Sequence, residues 1–213
     1  MLSDPAAAIR TLFGVAPPAG VRPRFNVAPS QTAPVARGAG PEIAMLRWGL
    51  VPRWSRDPGS GPRPINARIE TAAERPSFRE ALRRRRCLVP ADGFYEWRRT
   101  PSGKRPWLFR LAGGRPMALA GLWERWEGPD GPLETFTILT TRPNALVGRI
   151  HGRMPAIVPP EAIGRWLDER PLAPETLAAV AEPFPAEAME AFPVTAAVND
   201  PANDGPELVQ PAW

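Results

Sequence analysis

The stretch Cys87-Leu88-Val89-Pro90-Ala91-Asp92-Gly93-Phe94-Tyr95-Glu96-Trp97 opens the part of the chain that decides the fold. From here on, short apolar and alternating runs are separated by turns rich in Gly and Pro, a pattern typical of β-hairpins. The predicted strands cover residues 87–90, 93–98, 106–111, 116–125 and 134–140. Successive hairpins of this kind predict an antiparallel, strongly curved sheet.

The flanking parts of the chain add helices and a few further strands. Ser3 or Asp4, followed by Pro5, is a helix start, and it predicts a helix over residues 6–13. Ser77 is the predicted cap of a helix that runs to about Arg85, and Thr141 with Pro143 begins a short helix that ends before residue 151. The other predicted strands are 33–37, 42–48, 155–158 and 192–195, and the other predicted helices are 160–169 and 174–181. We therefore expect an α+β fold with flanking helices, as one domain over residues 1–213.

Composition excludes several classes of protein. The chain has 213 residues, 43% of them hydrophobic, which indicates a globular protein and not a disordered one. A single cysteine excludes an intramolecular disulfide and a multi-cysteine zinc site. No basic segment followed by an apolar run opens the chain, and no apolar run approaches the about 20 residues of a membrane-spanning helix. We expect a cytoplasmic monomer that needs no metal or cofactor. The net charge of +5, mostly from arginine, is compatible with a nucleic-acid partner.

His151 is the only histidine in the chain, in the segment Arg149-Ile150-His151-Gly152-Arg153-Met154-Pro155. Imidazole titrates near neutral pH, so it is the commonest general acid or base in enzymes. Proton transfer through an imidazole can therefore occur at only one place in this protein. The alternative is a structural histidine that donates to a backbone carbonyl at the end of a helix.

Glu96 lies in a strand between aromatic residues. Side chains alternate along a strand, so Phe94 and Glu96 share one face while Tyr95 and Trp97 share the other. A carboxylate packed among bulky aromatic rings loses hydration, which raises its pKa toward the range useful for acid–base chemistry. The alternative is an exposed glutamate on a hairpin that pairs with an arginine.

Asn66 and Arg68 lie two residues apart in an extended segment and should also share a face. An amide beside a guanidinium suits a site for an anionic or carbonyl-bearing substrate. The alternative is an asparagine that caps a turn and an arginine that lies at the surface.

Two further features are weaker indications of nucleic-acid binding. Consecutive arginines 83–86 spread around a helix, so we interpret most of them as a solvated helix end. Trp48 and Trp54 flank a turn beside arginines, as in surfaces that stack single-stranded bases, although Trp48 at a strand end is expected in the core. Cys87 is expected to be a small buried residue and not a nucleophile.

Seven segments in order resemble the SRAP family (SOS response-associated peptidase, or abasic-site processing proteins). A weaker match continues over residues 194–208. The segments are Asn26-Val27-Ala28-Pro29, Trp48-Gly49-Leu50-Val51-Pro52-Arg53-Trp54, Ile65-Asn66-Ala67-Arg68-Ile69-Glu70-Thr71, Cys87 through Trp97, Ala120-Gly121-Leu122-Trp123-Glu124, Thr137-Ile138-Leu139-Thr140-Thr141 and Ile150-His151-Gly152-Arg153-Met154-Pro155.

The resemblance implies a fold built around a curved, β-barrel-like sheet with flanking helices. It also implies binding to single-stranded DNA that contains an abasic site. In the family, an N-terminal cysteine condenses with the sugar aldehyde to give a thiazolidine cross-link, and autopeptidase activity accompanies it. Carried over by motif, Asn66 orients the reacting N-terminus, while Glu96 and His151 transfer protons. Among the DNA-binding residues, Arg68, Thr140 and Arg153 hold phosphates and Trp54 wedges against bases.

The chain departs from the family at its start. The family begins Met-Cys-Gly-Arg, whereas this sequence begins Met1-Leu2-Ser3-Asp4-Pro5, and the strand that carries the cysteine is expected to be absent. Cys87 cannot replace it, because ring closure needs an amine and a thiol on one residue. A start codon assigned too far downstream explains this better than a degenerate paralogue, since Asn66, Glu96 and His151 are all present. The alternatives are a non-covalent single-stranded DNA-binding module and a metal-independent peptidase acting on other proteins, although no Ser/His/Asp order supports the latter.

Overall fold

A computed structural model describes residues 1–59 and 61–212 of the chain. Ser60 and Trp213, which the predicted domain includes, lie outside the described residues. The described strands are β1 (Thr32–Arg37), β2 (Glu42–Trp48), β3 (Asn66–Arg68), β4 (Arg86–Ala91), β5 (Gly93–Thr100), β6 (Gly103–Leu111), β7 (Met117–Gly128), β8 (Gly131–Thr141), β9 (Met154–Pro155) and β10 (Met189–Pro193). The α-helices are α1 (Pro5–Phe13), α2 (Ile69–Ala72), α3 (Arg79–Arg84), α4 (Ile163–Leu167) and α5 (Pro174–Ala181).

Two sheets organise these strands. The larger has the order β2-β1-β4-β7-β8-β3, with β9 paired to β8, and β2 also pairs with β8, so the sheet curls round to meet itself. The smaller sheet has the order β10-β6-β5. The predicted α+β class with a curved sheet and flanking helices is confirmed.

The pairing differs from a simple antiparallel meander. β5 pairs with β6 and β7 pairs with β8 as hairpins, as predicted. However, β4 pairs with β1 and β7 and not with its neighbour β5. Moreover, β2 and β3 run parallel to β8. The tight turns determine the hairpins, whereas the closure of the larger sheet determines the remaining pairs.

Both faces of β4 are buried, which explains its unbroken apolar sequence. Leu88 belongs to a core that the helices cover, together with Ile9 of α1 and Trp166 of α4. Cys87 and Val89 point to a second core inside the curled sheet. A third core lies between the smaller sheet and the C-terminal segment, around Leu108, Phe192, Val198 and Leu208.

Helix α1 begins and ends as its sequence predicts. The Asp4 carboxylate accepts a hydrogen bond from the Ala7 amide at 2.9 Å, and Pro5 is the first helical residue. Gly14 ends the helix at φ 69°, a conformation that glycine adopts without steric cost.

Two predicted caps are wrong. Helix α3 starts at Arg79, and no side chain caps it, so Ser77 does not. Thr141 ends β8, and its hydroxyl donates to the Ala181 carbonyl oxygen instead of capping a helix. The 3₁₀ turn Val147–Arg149 before His151 is organised by Asn144, whose side-chain oxygen accepts from the Leu146 and Val147 amides.

The arginine run is only half solvated, which corrects the expectation for residues 83–86. Arg83 and Arg84 are exposed, but Arg86 is 4% exposed. Its guanidinium donates to backbone carbonyl oxygens at the ends of α3 and α4, among them those of Leu82 and Trp166. A delocalised, planar cation with five donors can satisfy several carbonyls at once, so Arg86 joins the two helix ends.

Candidate active site

Glu96 and His151 lie side by side, although 55 residues separate them in the sequence. Glu96 is on β5, and His151 follows the turn Val147–Arg149. His151 Nδ1 lies 3.4 Å from Glu96 Oε1, and the two side chains are 47% and 23% exposed. The structure therefore brings together two of the three predicted catalytic residues in a position that solvent reaches.

The backbone around His151 fixes its ring. His151 Nδ1 lies 2.8 Å from the Arg153 carbonyl oxygen and 3.2 Å from the Arg153 amide nitrogen, while the His151 amide donates to the Val147 carbonyl oxygen. These contacts match the structural role considered for this residue. They leave Nε2 without a hydrogen bond to any described residue, so the structural contacts and a proton-transfer role are compatible.

Burial raises the pKa of the Glu96 carboxyl above its usual value. The neighbouring His151 and the Trp97 backbone amide act in the opposite direction, because both favour the carboxylate. The direction matches what the aromatic neighbours in the sequence predict. A raised pKa gives Glu96 a larger protonated fraction near neutral pH, which a proton donor needs.

A cavity of about 390 Å³ opens beside this pair. Its lining residues are Glu96, Trp97, Arg99, Lys104, His151 and Asn199. Trp97 Nε1 donates to the side-chain oxygen of Asn199 at 2.7 Å, which joins strand β5 to the C-terminal segment. Two exposed cations and an aromatic ring beside an acid–base pair suit an anionic substrate with a polar reacting group.

Arg153 is held by the carboxylate of Glu70, a residue for which the sequence predicts no role. Its two terminal nitrogens donate to Glu70 Oε1 and Oε2 at 2.8 and 2.7 Å, and one also donates to the Thr140 carbonyl oxygen at 2.5 Å. This two-pronged pair holds the Gly152–Arg153 segment against α2. Because Arg153 also contacts His151 Nδ1 through its backbone, Glu70 helps to position the histidine.

Asn66, Arg68 and Thr140 lie on the paired strands β3 and β8 of the larger sheet. Asn66 and Arg68 are exposed on β3 with Ala67 buried between them, so they share a face as predicted. Neither side chain hydrogen-bonds another described residue, and Asn66 does not contact Glu96 or His151 by a hydrogen bond. Thr140 pairs with Arg68 across β8 and β3, and its hydroxyl, largely buried, lies 3.4 Å from the Ala67 carbonyl oxygen.

The two tryptophans have different environments. Trp48 stacks on Phe136 with 6.3 Å between ring centroids, and its Nε1 donates to the Ile65 carbonyl oxygen, so it belongs to the core as expected. Trp54 is 64% exposed on the following loop. The Ser55 carbonyl oxygen accepts from Trp126 Nε1 at 2.7 Å, which anchors the loop beside Trp54.

Comparison with known proteins gives one consistent result. Residues 1–201 match the family described as SOS response associated peptidase (SRAP). The chain belongs to the SRAP family. A similar relative is "Abasic site processing protein YoqW" of Bacillus subtilis (strain 168), 44% identical over 192 residues that cover 88% of this chain and 86% of the relative. "Abasic site processing protein HMCES" of Gallus gallus is 34% identical and aligns over 89% of this chain and 66% of its own length.

Solved structures share this fold. A crystal structure of a protein from Bacteroides thetaiotaomicron has a TM-score of 0.78 at 32% identity, covering 86% of this chain and 82% of that protein. A second, from Bordetella bronchiseptica, also has a TM-score of 0.78, at 29% identity, and covers 91% and 97% of the two chains.

The single cysteine of this SRAP chain does not form a competing nucleophilic site. Cys87 is fully buried, and burial raises its pKa far above the usual value of a thiol, so it is held as a neutral thiol. Within residues 1–59 and 61–212, no three His, Cys, Asp or Glu side chains are grouped to hold a metal ion. No helix of the described chain is long and apolar enough to cross a membrane.

Sequence reasoning missed four residues of this region. Glu70 stands in a quoted family segment without a role, and Asn199 belongs to the C-terminal tail. Arg99 and Lys104 lie between the predicted strands 93–98 and 106–111. Their common charge on facing strands is a signal that the sequence alone contains.

Proposed function

We propose that this protein binds single-stranded DNA and processes abasic sites in the Glu96–His151 cavity. The observation that carries the proposal is the contact between Glu96 and His151 beside an open cavity that Arg99 and Lys104 border. Relatives at 34–44% identity that are named abasic site processing proteins support the same substrate.

The chemistry follows from the abasic sugar, whose open form carries an aldehyde. Protonated Glu96 donates a proton to the ring oxygen as the sugar opens, and to the departing hydroxyl as an amine condenses with the aldehyde. His151 Nε2 can accept or return a proton on the cavity side, while Arg68, Arg153 and Thr140 hold phosphates and Trp54 wedges between bases. Because Arg153 is paired with Glu70, a phosphate must either share its guanidinium with Glu70 or replace Glu70 as its partner.

The covalent step needs a nucleophile that the family resemblance places at an N-terminal cysteine. Its amine and the aldehyde form an imine with release of water, and its thiol then adds to the imine carbon to close a thiazolidine. In the printed sequence Leu2 follows Met1, and Cys87 lies buried. Asn66 would orient the reacting amine, since its exposed amide has no other partner among the described residues.

A gel assay tests both steps. The chain as printed, and the chain preceded by Met-Cys-Gly-Arg, are incubated with single-stranded DNA with or without one abasic site. We expect both to bind the abasic strand more tightly, and only the extended chain to form a band that survives denaturation. In the extended chain, Glu96→Gln and His151→Gln should slow band formation by about 10²-fold, the lower range for general acid–base catalysis.

Glu182→Gln is the matched control, since Glu182 is an exposed carboxylate paired with Arg142. A denaturation-stable band from the printed chain would contradict the need for the cysteine. Equal affinity for intact and abasic strands would contradict the assignment of the cavity. Binding that depends on salt, without a cross-link from either chain, supports the second candidate, a non-covalent DNA-binding module that retains the same cavity.

A further inference from the structure

The tip of the β5–β6 hairpin concentrates positive charge in an unusual way. In the register of this hairpin Arg98 faces Arg105 and Arg99 faces Lys104. Like charges directly opposite each other on two strands repel and destabilise the pair. We call these four residues the basic tip.

Among residues 1–59 and 61–212, no carboxylate forms an ion pair with this charge. The sequence has no acidic residue between Trp97 and Pro106. None of the four side chains forms an ion pair with another described residue, and all four are exposed. Arg105 donates to the Ala212 carbonyl oxygen at 2.6 Å, a neutral acceptor.

Elsewhere on the same sheet the chain places opposite charges together. Arg110, farther along β6, faces Glu190 of β10, with 2.7 Å between Arg110 Nε and Glu190 Oε1. The repulsion at the basic tip is therefore a local property of the hairpin end. It indicates that the tip meets an anion that the described residues do not supply.

The basic tip is continuous with the candidate active site. Arg99 and Lys104 line the same cavity as Glu96 and His151. At about 3.4 Å per residue, Arg99 lies about 10 Å along β5 from Glu96. An anion bound at the tip and a sugar bound in the cavity can thus belong to one extended molecule.

We infer that the basic tip binds backbone phosphates on one flank of the DNA strand whose abasic sugar occupies the cavity. This inference rests on the proposed function and adds to it a contact several nucleotides long. Nucleic acid is favoured over an acidic protein segment because the tip leads directly into the cavity proposed for the abasic sugar. It also explains why the hairpin retains charges that weaken its own folding.

Charge reversal at one position separates binding from stability. Lys104→Glu places a carboxylate opposite Arg99, where it can form a cross-strand ion pair. We expect a thermal midpoint equal to or above that of the unmodified chain, together with affinity for abasic single-stranded DNA that falls at least several-fold. A lower midpoint with unchanged DNA affinity would overturn the inference.

The salt dependence of DNA binding measures how many phosphate contacts a variant loses. The double variant Arg99→Gln/Lys104→Gln should reduce the slope of log K against log salt by about 1.4, as expected for two phosphate contacts on a single strand. The control is Arg10→Gln/Arg165→Gln, which removes two exposed arginines from helices α1 and α4. An equal change in slope for both doubles would mean that only total charge matters, and would overturn a localised contact.

Oligonucleotides that carry the abasic site at either end identify the flank. The affinity loss of the double variant should appear with only one of the two strands. If the unmodified chain fails to distinguish abasic from intact DNA, the proposed function fails. If the unmodified chain does distinguish abasic from intact DNA, and the tip variants bind abasic DNA as tightly as the unmodified chain, only this inference fails. Competition by polyglutamate for the tip, with DNA binding unaffected by the variants, would assign the tip to an acidic protein instead.

Discussion

Glu96 is held between two opposing influences. Its packing in β5 removes water from the carboxylate and raises its pKa, while His151 at 3.4 Å favours the charged form. Burial has the larger effect. The folded protein therefore binds a proton at Glu96 more readily than the unfolded chain does, and charged Glu96 lowers stability.

This predicts a stability gain on Glu96→Gln that depends on pH. Because the folded pKa is raised, stability contributed by Glu96 falls as pH rises from the unfolded to the folded pKa, and the loss is complete above the latter. The variant should thus melt higher than the unmodified chain at pH 8, by about 2–4 °C for each kcal/mol regained. The gain should shrink toward pH 4, as thermal melts across this range will show. The control Glu182→Gln should show no such pH-dependent gain. A lower melting temperature of Glu96→Gln at pH 8 would mean that the His151 contact outweighs burial.

For single residues, the sequence predicts those properties that are determined by neighbours along the chain. The alternation around Glu96 indicates its pKa shift, and the spacing of Asn66 and Arg68 indicates their common face. The pairing of Arg153 with Glu70 could not be predicted, because 83 residues separate them. Their meeting depends on β3 lying parallel to β8, which no local pattern encodes.

For strands and helices too, the sequence predicts the contacts that local turns determine and not those between distant parts of the chain. Turn residues and alternation locate the hairpins β5–β6 and β7–β8, since each is determined within a few residues. The partners of β4 depend on the closure of the larger sheet, so its sequence indicates burial but not pairing. The burial of Arg86 cannot be predicted from the arginine run for a similar reason. The carbonyls that it binds at the end of α4 are about 80 residues away.

The contact between α3 and β7 includes a buried ion pair that offers a stability test. Arg85 at the end of α3 donates to Glu124 of β7 at 2.9 Å, and the Glu124 side chain is 5% exposed. Burial raises the pKa of Glu124, and Arg85 opposes this effect. Arg85 Nε and Glu124 Oε2 have no hydrogen-bond partner, so the pair is only partly satisfied.

Removing one partner should cost far more than removing both. Arg85→Met leaves a buried, unpaired carboxylate and should lower the free energy of unfolding at pH 7 by about 3–5 kcal/mol. The double variant Arg85→Met/Glu124→Leu should recover most of this loss. Urea unfolding measures both, and Arg84→Met is the control, since its exposed pair with Glu80 is worth less than about 1 kcal/mol. A double variant no more stable than Arg85→Met would contradict the unpaired-charge explanation.

Across the whole molecule, the C-terminal segment 194–212 completes the candidate site from the far end of the chain. Asn26 is 7% exposed, and its side-chain nitrogen Nδ2 donates to the carbonyl oxygens of Val198, Asp200 and Asn203. The backbone N–H of Asn26 donates to the Asp204 carboxylate. This exchange holds the segment against the smaller sheet and so keeps Asn199 in the cavity. It also gives a physical role to the first of the sequence segments that resemble the family.

Asn26→Ala should therefore loosen a segment about 170 residues away while the larger sheet stays folded. Losing a buried donor shared by three carbonyls costs about 1–3 kcal/mol, which corresponds to a segment that opens about 5- to 150-fold more often. Limited proteolysis should then cut within residues 194–212 faster by that factor, and affinity for abasic DNA should fall because Asn199 no longer holds Trp97. Asn203→Ala removes one exposed hydrogen bond, to the Ala197 carbonyl oxygen, and leaves the contacts of Asn26 in place. If both variants are cut at the same rate, Asn26 does not hold the segment, and its burial serves only the local turn.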